Sequence, residues 1–304
     1  MKLTTYFGER ERAGGRLVSD ALLDVHARHG IAASVLLRGA AGFGARHRLR
    51  TEQQLTPSED LPLVSVAVDT PERIEALAPE VRALQRSGLV TLERARDASG
   101  PVSEPAKLTL YLGRGEPYRE LCARLRACGL DGATALLGVD GTVRGERRRA
   151  RFFGPNGGVP LMLIAVGEGA AVARALAGLP PARATLERIR VCRRDGVALA
   201  EPEPRAGEWH KLMLHSSDHA AHDHLVRRLR GAGTAGATTL RGVYGFHGDH
   251  EPHGDRVLQL HRGVPAVTVI VDTPDHVQTS FAIVSELTPE RGLVTSETVP
   301  VILR

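Results

Sequence analysis

The chain of 304 residues is 42% hydrophobic and 25% charged, with a formal net charge of +5; that balance excludes a disordered or fibrous chain and leaves room for two or three folded domains. No apolar run approaches the roughly 20 residues of a membrane-spanning helix, and Met1-Lys2-Leu3-Thr4-Thr5 leads into a strand pattern without a signal-sequence core, so a cytoplasmic protein is expected. The three cysteines are an odd number, and Cys122 and Cys128 are six residues apart on one predicted helix, off the spacing that brings side chains together; neither a disulfide framework nor a thiolate metal site is supported.

Leu3 to Phe7 is a short β-prone run. Leu17, Val18, Ala21, Leu22 and Val25 then recur with helical spacing until Gly30 stops the helix. Ser34 to Leu37 reads as a second strand, Gly39 to Asp60 as a long glycine-rich polar loop, and Leu61 to Asp69 as a third strand. Thr70 is placed to cap a helix that has Pro71 at its first position and runs to Ser87. Gly88 ends it, and Leu89 to Ala95 is a fourth strand.

The pattern then repeats. Lys2-Leu3-Thr4-Thr5-Tyr6 returns as Lys107-Leu108-Thr109-Leu110-Tyr111 and Lys211-Leu212-Met213-Leu214-His215, about 105 residues apart. Gly30, Gly129 and Gly233 follow in register, then Gly39, Gly138 and Gly242, then Gly42, Gly141 and Gly245, then Pro62, Pro160 and Pro265. So long a period marks whole domains rather than solenoid units: repeat 1 at 1–96, repeat 2 at 107–193 and repeat 3 at 208–304, joined by polar, Pro-containing linkers. Repeat 3 restates the second helix with a Thr273-Pro274-Asp275 cap and the fourth strand with Gly292-Leu293-Val294-Thr295; repeat 2 has a short second helix running into Pro180-Pro181 and is the degenerate copy.

Each repeat is β-α-β-β-α-β, the ferredoxin-like order of an α+β domain. Helices cover one sheet face, and packing the three uncovered faces together would form a pseudo-trimer within one polypeptide.

A glycine group stands at the mouth of each long loop: Arg38-Gly39-Ala40-Ala41-Gly42-Phe43-Gly44, Leu137-Gly138-Val139-Asp140-Gly141, and Arg241-Gly242-Val243-Tyr244-Gly245-Phe246-His247-Gly248. Glycines let backbone N–H groups converge on an anion, and Arg46, His47, Arg48 and Arg50 follow the first group. With Ser58-Glu59-Asp60-Leu61-Pro62, Asp69-Thr70-Pro71-Glu72-Arg73-Ile74 and Gly88-Leu89-Val90-Thr91, the first run resembles the PII-like domain-of-unknown-function family number one hundred and ninety and, more distantly, the PII-type signal-transduction proteins. The resemblance implies a sensor whose clefts between domains bind a small anion of the adenine-nucleotide class, and whose long loops contact a membrane channel, a transporter or an enzyme. Carried onto this chain, the ligand set is Arg38, Gly42, Phe43, Gly44, Arg46 and Gly88 in repeat 1, and Arg241, Gly245, Phe246, His247 and Gly292 in repeat 3. Leu89 and Leu293 stand where PII proteins carry a basic residue, and Gly141-Thr142-Val143 replaces Gly-Phe-Gly in repeat 2, so at least one cleft is expected not to bind.

One rival reading is a divalent-metal binder of the CutA-like kind, built from His219, His222, His247, His250 and His253; another is a ligand-free scaffold for a membrane channel. The basic run Arg144 to Arg151 reads as a solvated loop with Phe152-Phe153 returning to the core, not as a nucleic-acid surface. Nucleophile-elbow, phosphate-loop and metalloprotease motifs are absent from the sequence, so no enzymatic activity is expected.

Overall fold

The computed structural model describes residues 1–304 apart from 45, 53–59, 86–87, 152, 154, 180–182, 249–250, 255–263, 289 and 304. Three α+β units follow one another. Repeat 1 comprises strand Lys2–Gly8, α1 (Val18–Arg28), strands Ala33–Arg38 and Pro62–Val68, α2 (Pro71–Leu84) and strand Leu89–Glu93. Repeat 2 has Ala106–Gly113, α3 (Tyr118–Ala127), Gly132–Leu137, Pro160–Gly167, α4 (Gly169–Ala177) and Arg183–Arg188; repeat 3 has Trp209–Ser216, α5 (His219–Gly231), Ala237–Arg241, Ala266–Asp272, α6 (Val277–Leu287) and Leu293–Val299. In each, the sheet runs second, third, first, fourth strand, with antiparallel neighbours.

Alternation along the strands separates two kinds of core, because successive side chains point to opposite faces. Leu63 and Ala67 pack with Leu22, Leu23, Ile74 and Leu77 of the helices. Val64, Val66 and Val68 point the other way and meet Met162 and Ile164 of repeat 2 and Met213, Val267 and Val269 of repeat 3 in one shared cluster. The three sheets thus lie back to back, with helices outside.

Two sets of strand exchanges close this arrangement. Ala41–Phe43 leaves repeat 1 and pairs with Ala237–Thr239 of repeat 3; Asp140–Val143 leaves repeat 2 and pairs with Ala33–Leu36 of repeat 1; Tyr244–His247 leaves repeat 3 and pairs with Gly132–Ala135 of repeat 2. In the opposite sense, Arg96–Asp97 adds to the last strand of repeat 2, Arg190–Arg194 to that of repeat 3, and Val301–Leu303 to that of repeat 1. The long loop and the linkers expected from the sequence therefore begin as strands of a neighbouring repeat.

This exchange explains the periodic glycines. A Cβ on Gly42 would lie 2.6 Å from the Ala237 carbonyl oxygen, and one on Gly242 would lie 2.6 Å from that of Pro265; Gly141 and Gly245 press closer still on the Ser34 and Ala133 carbonyl oxygens. The glycines are there for close approach of two backbones, not to gather N–H groups around an anion as the sequence suggested.

At the centre lies a ring of six buried charges. Lys2, Lys107 and Lys211 pair in register with Glu93, Glu187 and Glu297 of their own repeats, at 2.6, 3.2 and 2.8 Å. Each ammonium also reaches a second glutamate, Lys2 that of repeat 2, Lys107 that of repeat 3, and Lys211 that of repeat 1. All six side chains are at most 8% exposed. Burial alone would raise the Glu93 pKa, but Lys2 and Lys211 more than reverse this and hold it well below the usual carboxylate range. Burial would likewise lower the Lys211 pKa; Glu297 and Glu93 raise it instead. Lys107 goes the other way: burial lowers its pKa despite the Glu187 and Glu297 carboxylates beside it.

Several boundaries differ from the sequence reading. α6 starts at Val277 with His276 as its N-cap, because Thr273 to His276 form a turn whose Thr273 carbonyl accepts from the amides of His276 and Val277. Thr70 caps α2 by position only, its side chain making no capping bond and bonding the Glu72 carboxylate instead. Phe153 is 85% exposed and does not return to the core. Ser58, Glu59, Ser87, Phe152, Pro180 and Pro181 lie outside the described residues.

Gly245→Ala is expected to destabilise the protein by about 1–3 kcal/mol through overpacking against the neighbouring strand, measured by denaturant unfolding. Gly44→Ala, where an added Cβ meets nothing within 4 Å, serves as the near-neutral control.

A candidate ligand seam between repeats 1 and 3

After crossing to repeat 3 at Phe43, the chain turns at His47, whose N–H donates to the Gly44 carbonyl at 2.8 Å and whose φ is +49°. The His47 ring stacks on Phe43 with centroids 5.8 Å apart and planes at 25°. Arg50–Thr51 then pairs back onto Ala41–Gly42. This hairpin suspends Gly44, Arg46, Arg48 and Arg50 over the seam between the two repeats.

Across from it, Gly88 opens the fourth strand of repeat 1 with φ +128°, where a Cβ would come within 2.5 Å of the Tyr6 carbonyl oxygen; only glycine fits that turn. Repeat 3 supplies Trp209 and the Ala235–Thr238 segment. Together they enclose about 760 Å³ of space open to solvent.

The charges are unequally committed. Arg50 donates through Nε to Asp60 at 3.0 Å and lies 3.8 Å from Glu11. Arg46 and Arg48 are exposed and have no ion-pair partner among the described residues. Tyr6 and Trp209 give the cavity aromatic surface, while Phe43 lines it from the buried core of repeat 3. Two free guanidiniums beside aromatic faces can hold an anionic group and a planar ring together.

Of the residues expected from the sequence, Phe43, Gly44, Arg46 and Gly88 converge on this cavity, while Gly42 lies behind it under Ala237. Arg38 and Arg241 do not line it; they sit in surface ion pairs with Glu9 at 3.1 Å and Glu52 at 2.8 Å. In the equivalent seam of repeat 3, the chain itself engages the expected residues. His247 stands where repeat 1 has Gly44; it is buried and shares a 2.9 Å hydrogen bond with the Ser217 hydroxyl. The Gly292 N–H donates to the Asp195 carboxylate at 3.1 Å, and the Asp195 N–H returns a bond to the Gly292 carbonyl at 2.9 Å. Gly245 and Phe246 are packed beneath. Trp209 and Tyr6 were not singled out from the sequence, since nothing local links Trp209 to a cleft formed with repeat 1.

The metal set is dispersed. His222 is fully buried, with Nδ1 bonded to the Thr268 hydroxyl at 2.6 Å and Nε2 facing the Ser216 carbonyl at 3.3 Å. His253 bonds the Glu251 carbonyl at 3.0 Å, His219 begins α5, and His250 lies outside the described residues. Among the described residues, the group of three metal-capable side chains is Glu93, Glu187 and Glu297, and lysine ammoniums already neutralise it.

The family model DUF190, described as "Uncharacterized ACR, COG1993", matches residues 1–96, 107–190 and 214–301. The chain belongs to this family, as three tandem DUF190 repeats. Among solved structures it is similar to "Crystal Structure of Aspartate Kinase from Synechocystis", at 12% identity and a TM-score of 0.29, covering 97% of this chain and 43% of that chain; a likeness at that score carries no argument. No helix among the described residues is long and apolar enough to cross a membrane.

Burial pushes the imidazole pKa of His26 and His215 down to about 3 and that of His222 to about 4, from 6.5. Between these values and 6.5 the unfolded chain binds more protons than the folded one, so stability falls as pH drops through that window. The melting temperature is expected to fall by on the order of 10 °C between pH 7 and pH 5, and by less in His26→Leu. A flat profile would contradict neutral burial of these histidines.

Proposed function

We propose that this DUF190 protein is a ferredoxin-like, PII-like pseudo-trimer that senses a small anion of the nucleotide class, and that the seam between repeats 1 and 3 is its principal ligand site. The observation that carries this reading is the convergence of Arg46, Arg48, Gly44 and Gly88 of repeat 1 with Trp209 of repeat 3 around one cavity. Neither repeat alone makes the site, so a ligand there reports on how the two are docked.

In this reading the protein is a regulator without catalytic activity. The ligand's anionic group binds the two unpaired guanidiniums and its ring lies against Trp209 or Tyr6. The long loop of repeat 1 leaves the cavity past Gly44, Arg46 and Arg48 and returns to it at Pro62, so occupancy changes the balance between loop arrangements by the difference in ligand affinity for each. That loop then meets a partner such as a channel, a transporter or an enzyme.

Isothermal titration with ATP, ADP and AMP tests the proposal. A charge-assisted hydrogen bond of about 1.5–3 kcal/mol translates into a loss of roughly 10-fold or more for Arg46→Ala and for Arg48→Ala, with a similar loss for Trp209→Ala. Binding of none of the three nucleotides, or binding unchanged in the Arg46→Ala/Arg48→Ala double variant, would overturn it.

A further inference from the structure

The seam between repeats 1 and 2 holds a cleft of about 920 Å³ open to solvent, related to the first by the repeat but lined differently. Repeat 1 contributes the Gly30–Ala33 turn and Val35; repeat 2 contributes Tyr111, Glu116 and the hairpin around Arg144. We propose that this seam is a second binding site of different chemistry, taking a small zwitterion of the α-amino-acid class.

The hairpin is the first reason. Asp140–Val143 and Glu146–Arg147 pair across a two-residue turn, Arg144-Gly145, with φ of +53° and +82°. Turns with both central residues in the left-handed region favour Asn, Asp or Gly, and a long side chain there is a strained choice of the kind found at functional positions. Its neighbours Arg147, Arg148 and Arg149 are held by Asp140, Glu146 and Asp20 respectively. Arg144 has no ion-pair partner among the described residues, yet its side chain borders the cavity.

The opposite charge is also present, as it is in the first seam, where Glu11 accepts the Gly8 N–H in the same way but lies 3.8 Å from Arg50; Glu116 has no ion-pair partner among the described residues. Glu116 accepts the Gly113 N–H through one carboxylate oxygen at 2.8 Å, which fixes the group at the cavity wall and leaves the other oxygen for a ligand. A guanidinium and a carboxylate lining one cavity match a ligand with a carboxylate and an ammonium, the former held by Arg144 in the planar geometry that guanidinium favours. A nucleotide fits less well. Thr142 replaces the Phe43 of the first seam, no tryptophan lines this cavity, and one unpaired guanidinium stands where the first seam has two.

The inference concerns a different seam from the proposed nucleotide site, and the test separates the two. The full-length chain is titrated calorimetrically with each of the twenty common amino acids, and separately with ATP. At least one amino acid is expected to bind, with affinity reduced at least tenfold in Arg144→Gly, which suits the turn, and in Glu116→Gln, which retains the acceptor for Gly113. Arg46→Ala should leave amino-acid binding unchanged, and Arg144→Gly should leave the response to ATP as it is in the parent chain, whatever that response is. Failure of every amino acid to bind, binding unaltered in both Arg144→Gly and Glu116→Gln, or its loss in Arg46→Ala would overturn the assignment.

Discussion

Six charges alternate around the centre of this protein, and the rest of the architecture is arranged so that they can. Each lysine bridges the glutamate of its own repeat and that of another, so the ring closes only when all three sheets are docked. Taking six ions out of water is costly, and a buried ion pair is weak evidence for stability in itself. Its effect is on specificity: displacing one sheet breaks two of the three contacts between repeats, so that four ions each lose one of their two partners while the pairs within repeats persist. Around the ring, the shared apolar cluster of valines and methionines supplies the driving force for docking, while the ring restricts which docking is acceptable.

The strand exchanges convert docking into interlocking. Each repeat gives one strand to one neighbour and another to the other neighbour, so the edges that an isolated unit would expose are paired. The same exchanges create the seams. A hairpin that crosses to a neighbour ends beside the first and fourth strands of its own repeat, and the space between is where side chains of two repeats face one another. Because the three copies are encoded separately, the seams have diverged: one carries free arginines and a tryptophan, one an arginine opposite a glutamate, and one is taken up by His247 and the Asp195 turn.

Much of this was legible in the residues. Apolar periodicity and glycine stops located the helices and the core strands, and the recurrence of the Lys-Leu motif divided the chain. The lysines stood out as landmarks while their function did not, because Glu93, Glu187 and Glu297 lie on another strand some 80 to 90 residues away and only register brings the two together. The exchanged strands were hidden for a related reason: pieces of two to five residues, such as Arg96–Asp97 and Arg190–Arg194, carry too little alternation to be read locally, and their partners belong to other repeats. Half of the first seam was foreseen through Phe43, Gly44, Arg46 and Gly88. The half from repeat 3, Trp209 and Ala235 to Thr238, depends on which repeat the arm of repeat 1 crosses to, and the sequence does not state that.

The central claim is that the three repeats are one closed unit held by the ring and the exchanges. Differential scanning calorimetry of the whole chain tests it most directly. The account predicts a single unfolding transition whose calorimetric and van't Hoff enthalpies agree; three resolved transitions, or an isolated 208–304 segment that unfolds cooperatively at the temperature of the full chain, would contradict it.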